Sequence, residues 1–313
     1  MKYYVLRITG GLLTIFVSSL LVFSLIRLIP GDPAAELMGL AFDPKLAHLL
    51  RIRLGLEGSF VQQYIAWITA VFHGDFGYSF INGAPVGQEI GDRLIRTVQL
   101  LVGGVIVGLL ISIPAGIVSA RNKGKWQDGG IMAFTTLMLS VPQFVLGIFL
   151  IYIFAVRMHV LPAGGWIDPH DNFVEWLKSM VLPWLCVGMA MSAFTSRVLR
   201  ASILDAKNMD YTRTARSWGL SEKEIAKKHV YKNASAPTLT VVGLEIGYLL
   251  GGAFVIENVF AYPGIGQLTV KAISQRDYPM VQTSILIFAT GFILVNLIVD
   301  LAYGFIDPRI RQR

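Results

Sequence analysis

Charge is scarce in this chain. Only 15% of its 313 residues are Asp, Glu, Lys or Arg, against about 25% in an ordinary soluble domain. Cysteine is nearly missing, and the lone Cys186 excludes an intrachain disulfide and any cysteine-cluster metal site. There is no G-x-x-x-x-G-K-[ST] stretch, and "NKGKWQ" (122–127) is not one, so ATP binding by a P-loop is excluded. The apolar runs also contain no H-E-x-x-H and no nucleophile–base pair, which argues against an intramembrane enzyme. No internal repeat or low-complexity stretch is visible.

What is abundant is uncharged sequence. Ile8–Ile26, Thr97–Ala120, Ile131–Val156, Ser179–Ser196 and Tyr278–Val299 carry no charge, and Asn233–Ile256 is broken only by Glu245. Each is close to the ~20 residues that cross a ~30 Å hydrocarbon core as a helix. We therefore expect an all-α membrane protein with six transmembrane helices. The opening "MKYYVLR" is read as the start of a retained first helix rather than a secretory signal, because the apolar run is long for one. Pro114 and Pro142 interrupt the second and third spans, which requires support from neighbouring helices. Gly243, Gly247 and Gly251 form a small-residue ladder along the fifth span, a face that lets another helix approach closely.

The formal charge of +7 does not indicate nucleic acid, because the basic residues alternate between segments. They crowd Lys2–Arg7, the Arg121–Lys125 turn, the Arg197–Lys232 loop and the Arg309–Arg313 tail. The bias of Lys and Arg toward the cytoplasmic side then places both termini inside. The 29–96 segment becomes an extracytoplasmic region, opening with "PGDPAAEL" and containing an amphipathic helix in "QQYIAWITAVFHGDFG" that ends at Gly74. Its "DFG" lacks any kinase context and is read as chance. Trp166, Trp176 and Trp184 fit an interfacial belt.

One cytoplasmic stretch is unlike the rest: "DYTRTARSWGLSEKEIAKKHVYKNASAP" (210–237). Asp210 is a suitable helix N-cap. Tyr211, Ala215 and Trp218 follow at i, i+4 and i+7 and predict one apolar face. Gly219 supplies a left-handed stop. Ser221 and Glu224 then form a capping box that restarts the helix. A DNA-reading helix pair does not suit a segment tethered between two spans, and a membrane-surface helix is the milder alternative. The preferred reading is a docking element for a cytoplasmic protein, with Trp218 and Leu220 as anchors and an Arg-rich rim.

These residues carry a family resemblance. The stretch resembles the cytoplasmic signature of the permease subunits of bacterial ABC importers, specifically the peptide/nickel group. The general importer motif begins Glu-Ala-Ala, with Gly four places after the second Ala. Here Arg213-Thr214-Ala215 precedes Gly219, so the last alanine and the glycine match. "LIPGDPA", "LGL", "QYIAW", "GDFGYSF", "PVGQEI", "SVPQF", "VIENVFAYPGIGQL", "RDYPMVQ" and "DPRIR" resemble pieces of the same permease type, in the same order. The long segment after the first span is similar to that of the first of the two non-identical permeases.

The resemblance implies one permease domain over residues 1–313: a first span (8–28), an extracytoplasmic segment (29–96) and a five-span core (97–313). It implies a bacterial inner-membrane, multi-pass subunit that is not itself an enzyme. Its partners would be a second homologous permease, two ATP-binding subunits, an extracytoplasmic binding protein and membrane lipids, with no nucleic acid. The chain would hold no cofactor, ATP and Mg residing on the ATPase subunits. Tyr211, Thr212, Arg213, Ala215, Arg216, Trp218, Gly219 and Leu220 would form the ATPase-coupling helix. The substrate would be nickel, free or chelated, or di/oligopeptides, with "VIENVFAYPG" leaning toward the nickel-type members.

The other function class is a stand-alone secondary transporter or channel. It calls for internal repeats and ionisable groups inside the membrane, whereas only Glu245 lies well inside a predicted span. Glu245 is either a structural hydrogen-bonding group between helices or part of the translocation path. The five histidines, His48, His73, His159, His170 and His229, share no metal-ligand spacing and are read as ordinary surface or packing residues.

Overall fold

The computed structural model describes residues 2–28, 43–53 and 57–306. The expectations placed on the "PGDPAAEL" opening, on "LGL", on "DPRIR" and on the terminal arginines lie outside the described residues. Among the described residues the regular secondary structure is helical, with one isolated antiparallel bridge between Tyr78 and Pro85. The helices are α1 (Lys2–Leu28), α2 (Pro44–Arg53), α3 (Phe60–Phe72), α4 (Val86–Arg121), α5 (Trp126–Ser140) and α6 (Gln143–Leu150). They continue with α7 (Phe173–Asn208), α8 (Asp210–Ser217), α9 (Glu222–Ile225), α10 (Tyr231–Val259), α11 (Ile265–Ser274) and α12 (Tyr278–Ile306). Wider π-helical turns extend α6 through Ile151–Arg157 and join α9 to α10 through Ala226–Val230.

Five helical stretches are long and apolar enough to cross a membrane, contained in α1, α4, α7, α9–α10 and α12. The sixth expected span, Ile131–Val156, is broken: α5 and the α6 extension meet at an angle of 105°. The bend falls at Val141–Pro142, inside "SVPQF", where proline cannot donate to the helix and disfavours helical geometry in the preceding residue. Pro114, by contrast, stays within a continuous α4, and Pro183 and Pro237 within α7 and α10.

Helices α4 and α7 form the centre and run parallel, because contacts advance together along both. A side chain on Gly103 would collide with the Trp184 indole, and one on Gly104 with Val187. A Cβ on Gly108 would lie 2.9 Å from Met191 Sδ, and one on Gly116 3.0 Å from Leu199. Small residues at these positions let the backbones close up, which is how helices gain dispersion energy where lipid removes the hydrophobic drive. Trp184 donates from Nε1 to the Gln99 carbonyl at 3.1 Å. It therefore packs between helices, while Trp166 and Trp176 are part-buried nearer the expected boundary. The glycine ladder on α10 divides similarly. A Cβ on Gly247 would lie 2.8 Å from the Phe292 ring of α12, whereas Gly251 faces open space.

Helix α1 is held from the side. Phe23 meets the rings of Phe60, Tyr64 and Trp67 on α3, all within 5.4 Å. Ser19 and the Tyr64 hydroxyl share a hydrogen bond of 2.8 Å. Arg27 donates to Gln63 at 2.8 Å and stacks on Phe23. The "QYIAW" helix thus braces the first span beside its packing on α12, and Ser59 and Gln62 start it with a complete capping box.

Candidate functional site

Two ends of the bundle carry the polar construction. At one end, the separated pieces "GDFGYSF", "PVGQEI", "VIENVFAYPGIGQL" and "RDYPMVQ" come together. Asp277 accepts hydrogen bonds from the Ser79 hydroxyl and, at 3.1 Å, from the Phe80 amide. Val86 and Ile90 pack with Ile265, Leu268, Ala272, Met280 and Val281. Glu257 is fully buried, taking the Thr97 hydroxyl at 2.7 Å and the Gln267 amide at 2.8 Å. Thr97 in turn accepts the Ile265 amide at 2.9 Å. Gly264 leaves the space this carboxylate fills.

At the opposite end, α7 turns into α8. Met209, not Asp210, is the cap residue of α8, and Asp210 is its first helical residue. The reason is Thr212, whose buried hydroxyl donates to the carbonyls of Lys207 at 2.8 Å and Met209 at 2.6 Å, closing the corner one residue early. Gly219 has φ +79°, the left-handed stop that its identity implied. Ser221 and Glu224 form a complete capping box.

The apolar face expected of Tyr211, Ala215 and Trp218 is split. Ala215 turns inward to join Ala120, Leu199, Ile203, Ala206, Ile225, Val230 and Ala234, and Leu220 packs against the same cluster. Leu220 is therefore half-buried against this cluster and not a fully exposed anchor. Trp218 points outward and is 79% exposed. The 3.6-residue period puts i and i+4 on one side, but the terminal turn at Trp218–Gly219 leaves helical geometry and releases the third member. Tyr211 sits at the edge, its ring 6.5 Å from that of His229. Partial burial raises its pKa from the ordinary value, against an opposing hydrogen bond with Asn233. Arg213 and Arg216 are exposed, Arg213 lying 3.6 Å from Asp210 and Arg216 2.6 Å from Glu222.

This end is braced as well. Asp128, the third residue of α5, takes a two-pronged contact from Arg200 of α7 at 2.7 and 2.8 Å. It also accepts the Ser119 hydroxyl and, at 3.0 Å, the Gly124 amide. A buried charge is tolerable when every lone pair is used in this way. The outward Trp218 thus stands on a platform tied to α4, α5, α7 and α10.

Glu245 lies midway along α10, half-buried, with no side-chain hydrogen bond or ion pair among the described residues. Leu244 and Tyr248 beside it are exposed, and Gly251 and Gly252 face open space. It is not the only acid in that helix, because α10 runs on to Val259 and encloses Glu257. Among the described residues no three His, Cys, Asp or Glu side chains come together to hold a metal. His48 pairs with Glu57 at 2.7 Å and His73 with the Thr69 carbonyl at 2.8 Å.

Comparison with known proteins agrees over the whole length. Residues 112–312 match the family described as binding-protein-dependent transport system inner membrane component, and residues 1–101 match its N-terminal counterpart. The chain is 38% identical over 313 residues to the glutathione transport system permease protein GsiC of Shigella flexneri serotype 5b, covering 100% of both chains. It is 37% identical to GsiC of Escherichia coli K12, with the same full coverage. Among solved structures it resembles an inward-facing MetNI methionine ABC transporter, with a TM-score of 0.55 and 16% identity over 70% of this chain and 96% of that one. The fold, the ordered motifs and the full-length matches lead to one assignment: the chain belongs to the binding-protein-dependent transport family, as a multi-pass inner-membrane permease subunit of an ABC importer of the peptide/nickel type.

Proposed function

We propose that this permease forms half of a pathway for peptide-like substrates, from di/oligopeptides to glutathione-like molecules, delivered by an extracytoplasmic binding protein. A second homologous permease completes the pathway, and two ATPase subunits carry ATP and Mg. The full-length relatives named for glutathione transport carry this reading, and they weigh against the nickel lean of "VIENVFAYPG". Both termini and the 210–220 turn lie on the cytoplasmic side, following the Lys/Arg distribution. Tyr211, Thr212, Arg213, Ala215, Arg216, Trp218, Gly219 and Leu220 make up the ATPase-coupling element. Trp218 is the inserted side chain, and Thr212, Ala215 and Leu220 pass the motion into the bundle.

The test is uptake in cells that express the chain with a partner permease, ATPase subunits and a binding protein. Labelled glutathione, a dipeptide and nickel are supplied separately. Competition of the dipeptide or glutathione by unlabelled peptide supports the reading. Uptake of nickel alone, unaffected by peptides, overturns it. For sidedness, Cys186 is first replaced, and a single cysteine at Asp75 is labelled by a membrane-impermeant reagent from outside the cell. Reaction only from the cytoplasmic side rejects the topology.

A further inference from the structure

Beside the α8 turn lies a cavity of about 560 Å³, with Arg121, Lys207, Lys223 and Lys227 on its wall and Ile225 and Val230 at its apolar base. Arg216 and Glu222 also line it. Their charges are satisfied by each other, with Arg216 Nε 2.6 Å from Glu222 Oε1. Lys207, Lys223 and Lys227 make no ion pair among the described residues. Arg121 donates through Nε to the Tyr231 hydroxyl at 2.9 Å, which leaves its two terminal nitrogens for another acceptor.

We propose that this cavity binds the phosphate headgroup of an anionic lipid from the adjacent leaflet, resting on the reading of this end as the cytoplasmic one. Three observations support it. First, the cavity reaches two span ends: Arg121 closes α4 directly after the Thr97–Ala120 run, and Tyr231 opens α10 just before the Asn233–Ile256 run. Lys207, in the last turn of α7, lies beyond the end of its span at Ser196. Span ends are at the level of lipid headgroups, and basic pockets between them suit anionic ones.

Second, the cations are more than the fold itself uses. Lys223 and Lys227 are four residues apart, a like-charge spacing that costs free energy on a helix unless an anion lies between. The π-helical turn Ala226–Val230 widens the wall at this point, and such turns are frequent at binding sites. Third, the volume and apolar base favour an amphiphile. A bare phosphate shares the oxyanion chemistry but would leave most of a space this large empty, since sites of ~300–1,000 Å³ normally hold drug-sized molecules.

The test uses the full chain, purified with its partner subunits in detergent and examined by native mass spectrometry with short-chain phosphatidylglycerol or phosphatidylcholine. The native protein should retain phosphatidylglycerol at least 10-fold more strongly than phosphatidylcholine. The triple variant Lys207→Gln/Lys223→Gln/Lys227→Gln should lose about 10-fold of that retention. Lys178→Gln, an exposed lysine at the other end of α7, should retain it in full and controls for loss of surface charge. Inorganic phosphate should compete only weakly. Equal retention of both lipids, unchanged retention in the triple variant, or binding of inorganic phosphate without phosphatidylglycerol each overturns the proposal. So does a triple variant that keeps the lipid and loses the ATPase subunits, since that assigns the cations to a protein partner.

Discussion

Thr97 of α4 and Glu257 of α10 are joined by a hydrogen bond of 2.7 Å across 160 residues of sequence. Thr97 also receives the Ile265 amide, and Glu257 the Gln267 amide, so two side chains fix both the end of α10 and the start of α11. Every donor in this group has one acceptor. In a low-dielectric setting, that completeness decides whether a buried polar group supports the fold or weakens it.

Glu257→Gln replaces an accepting oxygen with an amide nitrogen, leaving either the Thr97 hydroxyl or the Gln267 amide without an acceptor. The expected loss is about 1–3 kcal/mol, the cost of an unsatisfied buried group. Thr97→Val should cost a similar amount, and the double variant less than the two losses added, because they disable one network. Thermal unfolding of the purified protein measures all three. Strictly additive losses would contradict a shared network.

The parallel α4–α7 contact makes a second expectation. Gly103 faces the Trp184 indole with no room for a side chain. Gly103→Leu should cost about 1–3 kcal/mol through overpacking, and Trp184→Ala in the same chain should recover part of it by vacating the space. Gly10, which has nothing within 4 Å, should accept alanine without loss of stability. Protease resistance of the purified chain ranks the variants, and a Gly103→Leu protein as resistant as the parent would reject the close approach.

The spans were legible because uncharged runs of fixed length have few alternatives in a membrane protein. The capping boxes at Ser59 and Ser221 and the stop at Gly219 follow from local chemistry, as the sequence pattern predicts for Ser221 and Gly219. What sequence periodicity missed is tertiary. Pro114 and Pro142 look equivalent in sequence, yet only Pro142 breaks its helix. Glu257 stands just past the Asn233–Ile256 run, and only the fold surrounds it with Thr97 and the Gln267 amide of α11. Asp128 stands near a turn in sequence, and only the fold brings it to Arg200, 72 residues away. Leu220 and Trp218 are two residues apart, and which of them faces outward depends on the left-handed turn between them and the cluster beneath.

Trp218→Ala should leave insertion and folding unchanged, because the side chain is exposed and supports nothing internal. If it anchors the ATPase, removal should cost about 2 kcal/mol at the interface, or about 30-fold in association. Gly219→Val should act differently. Its φ of +79° disfavours a β-branched residue, so Trp218 is displaced rather than lost. Ala215→Leu would overfill the cluster below and reduce stability too. ATPase co-purification against thermal unfolding separates these outcomes. Full ATPase association in both Trp218→Ala and Gly219→Val would remove the coupling assignment.

Glu245 offers the most discriminating variant. A charged residue at the centre of a membrane helix costs about 2.5–3.5 kcal/mol on the insertion scale, and here no described residue offsets it with a hydrogen bond or ion pair. Its surroundings on α10 are Leu244, Tyr248, Gly251 and Gly252, a face with no partner among the described residues. That face suits either the second permease or the pathway between the two. Glu245→Gln keeps shape and hydrogen-bonding capacity while removing the possible charge. A side chain that only joins the two permeases should tolerate the change, with normal assembly and normal uptake. One that meets the substrate's amino group should leave assembly and basal ATPase activity intact while uptake falls, most at low substrate concentration. Glu245→Leu then completes the comparison, since it also removes the hydrogen bond and should impair assembly only in the structural case. Normal uptake by Glu245→Gln across substrate concentration and pH rejects the pathway role.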